Sequence, residues 1–218
     1  MTPQAQNALL LTLEEPPAYV HFFLLCENSG NLLETIRSRA PILRTQPLST
    51  KEIDEYLVKA DRRAAQMKLS DPQGYAEILT ASKNGIGRAL EYLDTKSFAP
   101  VKQVRTLAHD FIIGAIKAKG ASHMLPVINR FSQKRDILSE QLSAISDAIR
   151  DLMLLKKSDD AKLIFFSDRD YAIELSDTAS MMFLYKLSIA VQTAKDEIGR
   201  NANVRLCLIK MAMNSNIF

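Results

Sequence analysis

The chain has no phosphate-binding loop. The pattern G-x-x-x-x-G-K-[ST] occurs nowhere in its 218 residues, and none of its seven glycines is followed by lysine. The backbone cradle and the lysine that grip a triphosphate are therefore missing, and hydrolysis by this chain alone is not expected. Cysteine is equally scarce. Cys26 and Cys207 lie far apart, each inside an apolar run, which excludes a zinc cluster or a disulfide framework and predicts two buried thiols in a reducing cytoplasm. The three histidines, His21, His109 and His123, have no thiol or carboxylate at ligand spacing, so no metal site is expected. No apolar run reaches the roughly 18 residues of a membrane span, and no basic segment followed by an apolar core opens the chain, so the expectation is a soluble cytoplasmic protein with no membrane partner.

A strong charge of one sign is lacking too. The formal net charge is +3, with 28 Lys and Arg against 25 Asp and Glu, and only residues 101–218 are mildly basic, with seventeen against thirteen. No global field demands a nucleic-acid partner. Pairs such as Lys117 with Lys119, Lys134 with Arg135 and Lys156 with Lys157 could touch DNA phosphates, but without interleaved aromatics they read as solvated helix ends.

What is present is helical periodicity. A 47% hydrophobic content supports a substantial core. Residues 7–13 read as a helix stopped by Pro16 and Pro17, residues 19–26 as a buried strand, residues 32–38 as a short helix carrying Ser38 and Arg39 toward Pro41, and residues 42–46 as a second strand. Ser49 or Thr50, with Glu52 behind it, marks a helix start. Three helices are predicted over 51–66, 72–82 and 86–94, then a linker at Phe98, Ala99 and Pro100. Beyond it the spacing predicts helices over 101–119, 122–131, 135–157, 178–197 and 204–214, with Gly120 and residues 201–203 as stops. Residues 162–170, an apolar run followed by acids, superficially resemble a magnesium-binding strand. Without a phosphate loop upstream they read as a buried segment followed by a helix cap.

Several segments then carry a resemblance. The stretch QNALLLTLEEPP from Gln6, an apolar strand, LLETIRSRA from Leu32 and NGIGRALEY from Asn84 follow one another in the order and spacing of clamp-loader subunits of the AAA+ ATPase family, and most resemble the delta-prime type of bacterial DNA polymerase III. The helices containing IRDLMLLKK and NANVRLCLIKMAM resemble the collar of such subunits. The resemblance implies a mainly α protein: a partial α/β AAA+ remnant over residues 1–48, a three-helix lid over 49–97 and an all-α collar bundle for oligomerisation over 98–218. A half-module starting at Met1 would leave a sheet edge bare, which predicts a truncated chain whose first 48 residues are its least stable part.

The resemblance also implies a function. Ser38, Arg39 and Ala40 align with the family's serine-arginine-cysteine motif, with alanine in place of cysteine, so Arg39 would be an arginine finger acting in trans, with Ser38 beside it. Arg88 aligns with the sensor 2 arginine of the lid, and the sensor 1 position falls on Glu27, a residue that would repel phosphate. Leu11 stands where the family usually has lysine. These features imply a non-catalytic subunit of a DNA polymerase III holoenzyme, a DNA-directed DNA polymerase. It would bind no cofactor itself and would serve ATP on a partner subunit. The implied partners are gamma/tau and delta type subunits and, through the complex, the sliding clamp and primer-template DNA. The alternative is a stand-alone helical adaptor or regulator that reuses lid and collar without an ATPase role.

Overall fold

The computed structural model describes residues 1–26, 28–46, 48–117, 124–158 and 160–215. The expectations that fall on Glu27, Lys119, Gly120, Ser122 and His123 lie outside the described residues. The described residues form thirteen α-helices and no strand, so the protein is mainly α. Two compact units divide it, Met1–Gln46 and Pro47–Phe218.

The first unit begins with α1, Pro3–Ala8, whose N-terminus is closed by the Thr2 hydroxyl accepting the Ala5 N–H at 3.3 Å and whose first position is proline, where a missing N–H costs nothing. A loosened turn at Leu9 separates it from α2, Leu10–Glu14, so the predicted single helix is two. After Ser29–Asn31, a short 3₁₀ turn, comes α3, Glu34–Arg37.

Both predicted strands are absent. Residues 19–26 and 42–46 have no ladder, and Tyr19, Phe23 and Leu25 are 87%, 83% and 97% exposed. A buried parallel strand takes its hydrogen bonds from two neighbours and its burial from cover on both faces, and no other described strand is there to supply either. Their β-branched and aromatic composition alone cannot form a sheet.

In the second unit, α4, Thr50–Ala60, opens on a full capping box: Ser49 Oγ accepts the Glu52 N–H at 3.2 Å while Glu52 accepts the Ser49 N–H at 2.7 Å. The helix predicted over 51–66 stops at Asp61, whose carboxylate turns to accept the Arg63 N–H at 2.8 Å and caps α5, Arg62–Ser70. With α6, Pro72–Ala81, and α7, Ile86–Tyr92, this part has four helices rather than three. Ile53, Leu57, Ala64, Tyr75 and Ala89 form its core.

The predicted linker at 98–100 is instead helix. Helix α8, Thr95–Lys117, runs through Pro100. Phe98 is buried against Ile78 and Ala81, with its ring 5.5 Å from that of Tyr92, and this packing outweighs the hydrogen bond that proline removes. Helices α9, Leu125–Ile128, α10, Arg135–Leu155, α11, Arg169–Thr178, α12, Met181–Gly199, and α13, Val204–Ser215, complete a bundle. Helix α10 is its axis, packing on α8, α11 and α12, while α12 packs on α13. Its interior includes Phe111, Ile112, Leu142, Ile145, Leu152, Leu184 and Val191. Asn201, at φ 67°, closes α12 as the sequence predicts. No described helix is long and apolar enough to cross a membrane.

Candidate functional site

Arg39 sits at the end of a chain of local contacts that begins with Gln6. The Gln6 side chain, 3% exposed and on α1, accepts the Leu33 N–H at 2.8 Å and donates to the Asn31 carbonyl at 3.3 Å. Leu33 is the N-cap of α3, so this amide ties to α1 the start of the helix that leads to Arg39. Asn28 firms the approach by accepting the Gly30 N–H at 2.8 Å. At the far end the Ser38 hydroxyl donates to the Thr35 carbonyl at 3.1 Å, and Arg39 Nη1 donates to the same carbonyl at 2.8 Å. Arg39 Nη2 meets the carboxylate of Glu14, the last residue of α2.

Arg39 is therefore paired but not engulfed: its side chain remains 34% exposed and that of Glu14 43%. A planar guanidinium carries five donors, so a cation held on one edge by a carbonyl and a carboxylate still presents another edge to a phosphate oxygen.

Arg88 lies exposed in the first turn of α7, behind the N-cap Gly85, while its neighbour Ala89 is in the core. The acids of 162–170 are accounted for structurally. Phe165 and Phe166 are buried, and Asp168 accepts the Tyr171 N–H at 3.0 Å as the N-cap of α11. Among the described residues no group of His, Cys, Asp and Glu is placed to hold a metal. His109 is hydrogen-bonded to the Tyr171 hydroxyl at 2.9 Å, and His21 is exposed. Of the basic pairs, Lys117 ends α8 and Lys156 caps the C-terminus of α10, where positive charge suits the helix dipole.

The seam between the four-helix part and the bundle holds a cavity of about 450 Å³, bordered by Glu77, Lys102, Arg105, His109, Phe166 and Tyr171. Arg105 crosses it, donating to the Thr80 hydroxyl at 3.1 Å and to the Phe165 carbonyl, with its guanidinium 4.8 Å from the Phe165 ring centre. Burial pushes its pKa down and the nearby Glu77, Asp147 and Asp151 push it back up. Lys83 to Asp147 at 2.5 Å and Lys102 to Glu77 at 3.6 Å span the same seam. These bonds consume the cavity's charges, so it reads as a joint between helical parts.

Sequence reasoning missed Gln6, Glu14 and Arg105. A glutamine inside a short capped helix and an acid two residues before a proline pair were the only local signals for the first two. Arg105 had none.

With this geometry in view, similarity to known proteins becomes informative. Residues 1–49, which hold α1 to α3 and both Glu14 and Arg39, match the family model described as DNA polymerase III, delta subunit. The chain is 28% identical over 152 residues to DNA polymerase III subunit delta' of Haemophilus influenzae, covering 69% of this chain and 42% of that protein. It is 36% identical over 86 residues to the Bacillus subtilis subunit of the same name, 38% of this chain and 26% of the relative. It is 28% identical over 145 residues to the replication factor C small subunit of Sulfolobus acidocaldarius, 65% and 43% respectively. The chain thus spans less than half the length of these relatives. Together the matches make this chain similar to clamp-loader subunits, those of the delta-prime type among them, over part of their length.

Proposed function

We propose that this protein is a non-catalytic clamp-loader subunit of DNA replication that assembles through its helical bundle and lends Arg39 to ATP bound on a neighbouring subunit. The observation that carries the reading is the corner formed by Ser38 and Arg39: a short helix, anchored at its start by a buried glutamine, ends in a part-exposed guanidinium. The family match over residues 1–49 supports it, since this corner lies inside the matched segment.

In the transition state of γ-phosphoryl transfer, negative charge spreads over the equatorial oxygens, and a guanidinium presented from outside stabilises that charge without taking part covalently. A subunit that delivers this group needs no phosphate loop of its own, in keeping with the absence of one from these residues. ATP would belong to a gamma/tau type partner, a delta type subunit would complete the assembly, and the sliding clamp and primer-template DNA would be engaged by the complex. Arg88, lacking a nucleotide from its own chain, would serve as a solvated residue of α7. Arg39→Ala in the loader reconstituted with its cognate subunits is expected to leave assembly intact and lower DNA-stimulated ATP turnover by tenfold or more, in line with arginine fingers elsewhere. Unchanged turnover in a fully assembled complex would refute the role.

A further inference from the structure

We propose that Glu14 is the resting counter-ion of Arg39, keeping the guanidinium neutralised until a nucleotide phosphate on a neighbouring subunit displaces it; this rests on the trans role of Arg39 argued above. The pair joins the last residue of α2 to Arg39, the second residue beyond α3, and on the α2 side Pro16 and Pro17 follow directly after Glu15. Arg39 meets the carboxylate through Nη2, and Nη1 is fixed separately by the Thr35 carbonyl at 2.8 Å. Losing the carboxylate therefore leaves the guanidinium anchored and still aimed.

The energetics favour a displaceable partner over a structural one. Both side chains are more than a third exposed, and pairs of that kind add little to folding. Yet a carboxylate in contact cancels the charge for which the arginine would be used. A triphosphate brings several negative charges and bidentate oxygens to the same fork, so it outcompetes a single solvent-screened carboxylate. Glu14 thereby acts against Arg39 in the idle complex and drops out once the neighbour's nucleotide is clamped in place.

The test uses the loader reconstituted with cognate subunits, assayed for steady-state ATP hydrolysis with and without DNA and clamp, for the parent, Glu14→Gln and Arg39→Ala. Glutamine keeps the size and a hydrogen-bond acceptor while removing the charge. The expected result is a basal rate about two- to fivefold higher for Glu14→Gln, the range set by an exposed ion pair, with the stimulated rate within about 1.5-fold of the parent because the carboxylate is already displaced there. The basal gain should shrink as salt is raised, since screening weakens the parent's pair as well. A basal rate that is unchanged or lower for Glu14→Gln, while Arg39→Ala is impaired, overturns the counter-ion and leaves the finger standing. Full turnover by Arg39→Ala removes both.

Discussion

The Asp151 carboxylate accepts the backbone N–H of Phe165 at 2.7 Å, deep in the helical bundle and with no exposure to solvent. The same carboxylate takes the N–H groups of Ile164 at 2.9 Å and Phe166 at 3.2 Å, and Arg150 reaches it at 2.9 Å. Three successive amides of a segment without regular structure thus find their acceptor in one side chain, and the two phenylalanines are set against the core. Burial pushes the Asp151 carboxyl above its usual range, while the three amides and Arg150 pull it down.

Asp151→Asn is expected to destabilise the unit by about 2–4 kcal/mol, because the three backbone N–H groups, which converge on one carboxylate oxygen, would meet a neutral amide oxygen in place of a carboxylate, and the amide NH₂ standing where the other oxygen was would face the Arg150 guanidinium. For a unit of this size that corresponds to a melting temperature lower by roughly 4–16 °C. Urea unfolding monitored by circular dichroism measures it directly. A loss below about 0.5 kcal/mol would mean that the segment is held by the aromatic packing alone.

Of the two thiols expected to be buried, Cys207 is and Cys26 is not. Cys207 is buried in the bundle, and burial, followed by its hydrogen bond to Glu197, pushes its thiol up. Cys26 is exposed, since the apolar run around it forms no sheet. At pH 8 in native buffer a thiol-reactive disulfide reagent is therefore expected to label one cysteine rapidly, with Cys207 reacting only as the protein unfolds. Cys26→Ser should abolish the fast phase. Rapid labelling of both residues would show that α13 leaves the bundle readily.

Helices and their ends were legible in the sequence because their causes are local. Ser49 with Glu52, Asp168 and Asn201 act within one turn, and the periodicity of α10 and α12 reports the face that each buries. The misreadings share a different origin. Phe98, Ala99 and Pro100 read locally as a linker, but Phe98 is buried against Ile78 and Ala81, residues distant in sequence, and this tertiary packing keeps the helix intact against the local signal. Residues 19–26 have a strand's composition without a strand's neighbours. At the candidate site, Ser38 and Arg39 were legible as a motif, whereas Glu14 and Gln6 were not, because their contacts span 25 and 27 positions.

The Gln6 to Leu33 bond gives the most direct check that the corner is built and not incidental. Gln6→Leu preserves much of the side-chain volume but removes both the acceptor for the Leu33 N–H and the donor to the Asn31 carbonyl. Leaving such groups unpaired costs about 1–3 kcal/mol, enough to speed amide exchange across residues 33–40 by roughly fivefold or more, while exchange in α10 stays unchanged. Gln6→Glu keeps the acceptor and loses the donor, so its effect should be smaller at Leu33 than at the 3₁₀ turn. In the reconstituted loader Gln6→Leu should lower stimulated turnover in the direction of Arg39→Ala without weakening assembly, since α3 would no longer hold its guanidinium in one place. If exchange at residues 33–40 is unaltered in Gln6→Leu, the helix is fixed by the burial of Ile36, and the glutamine is a bystander.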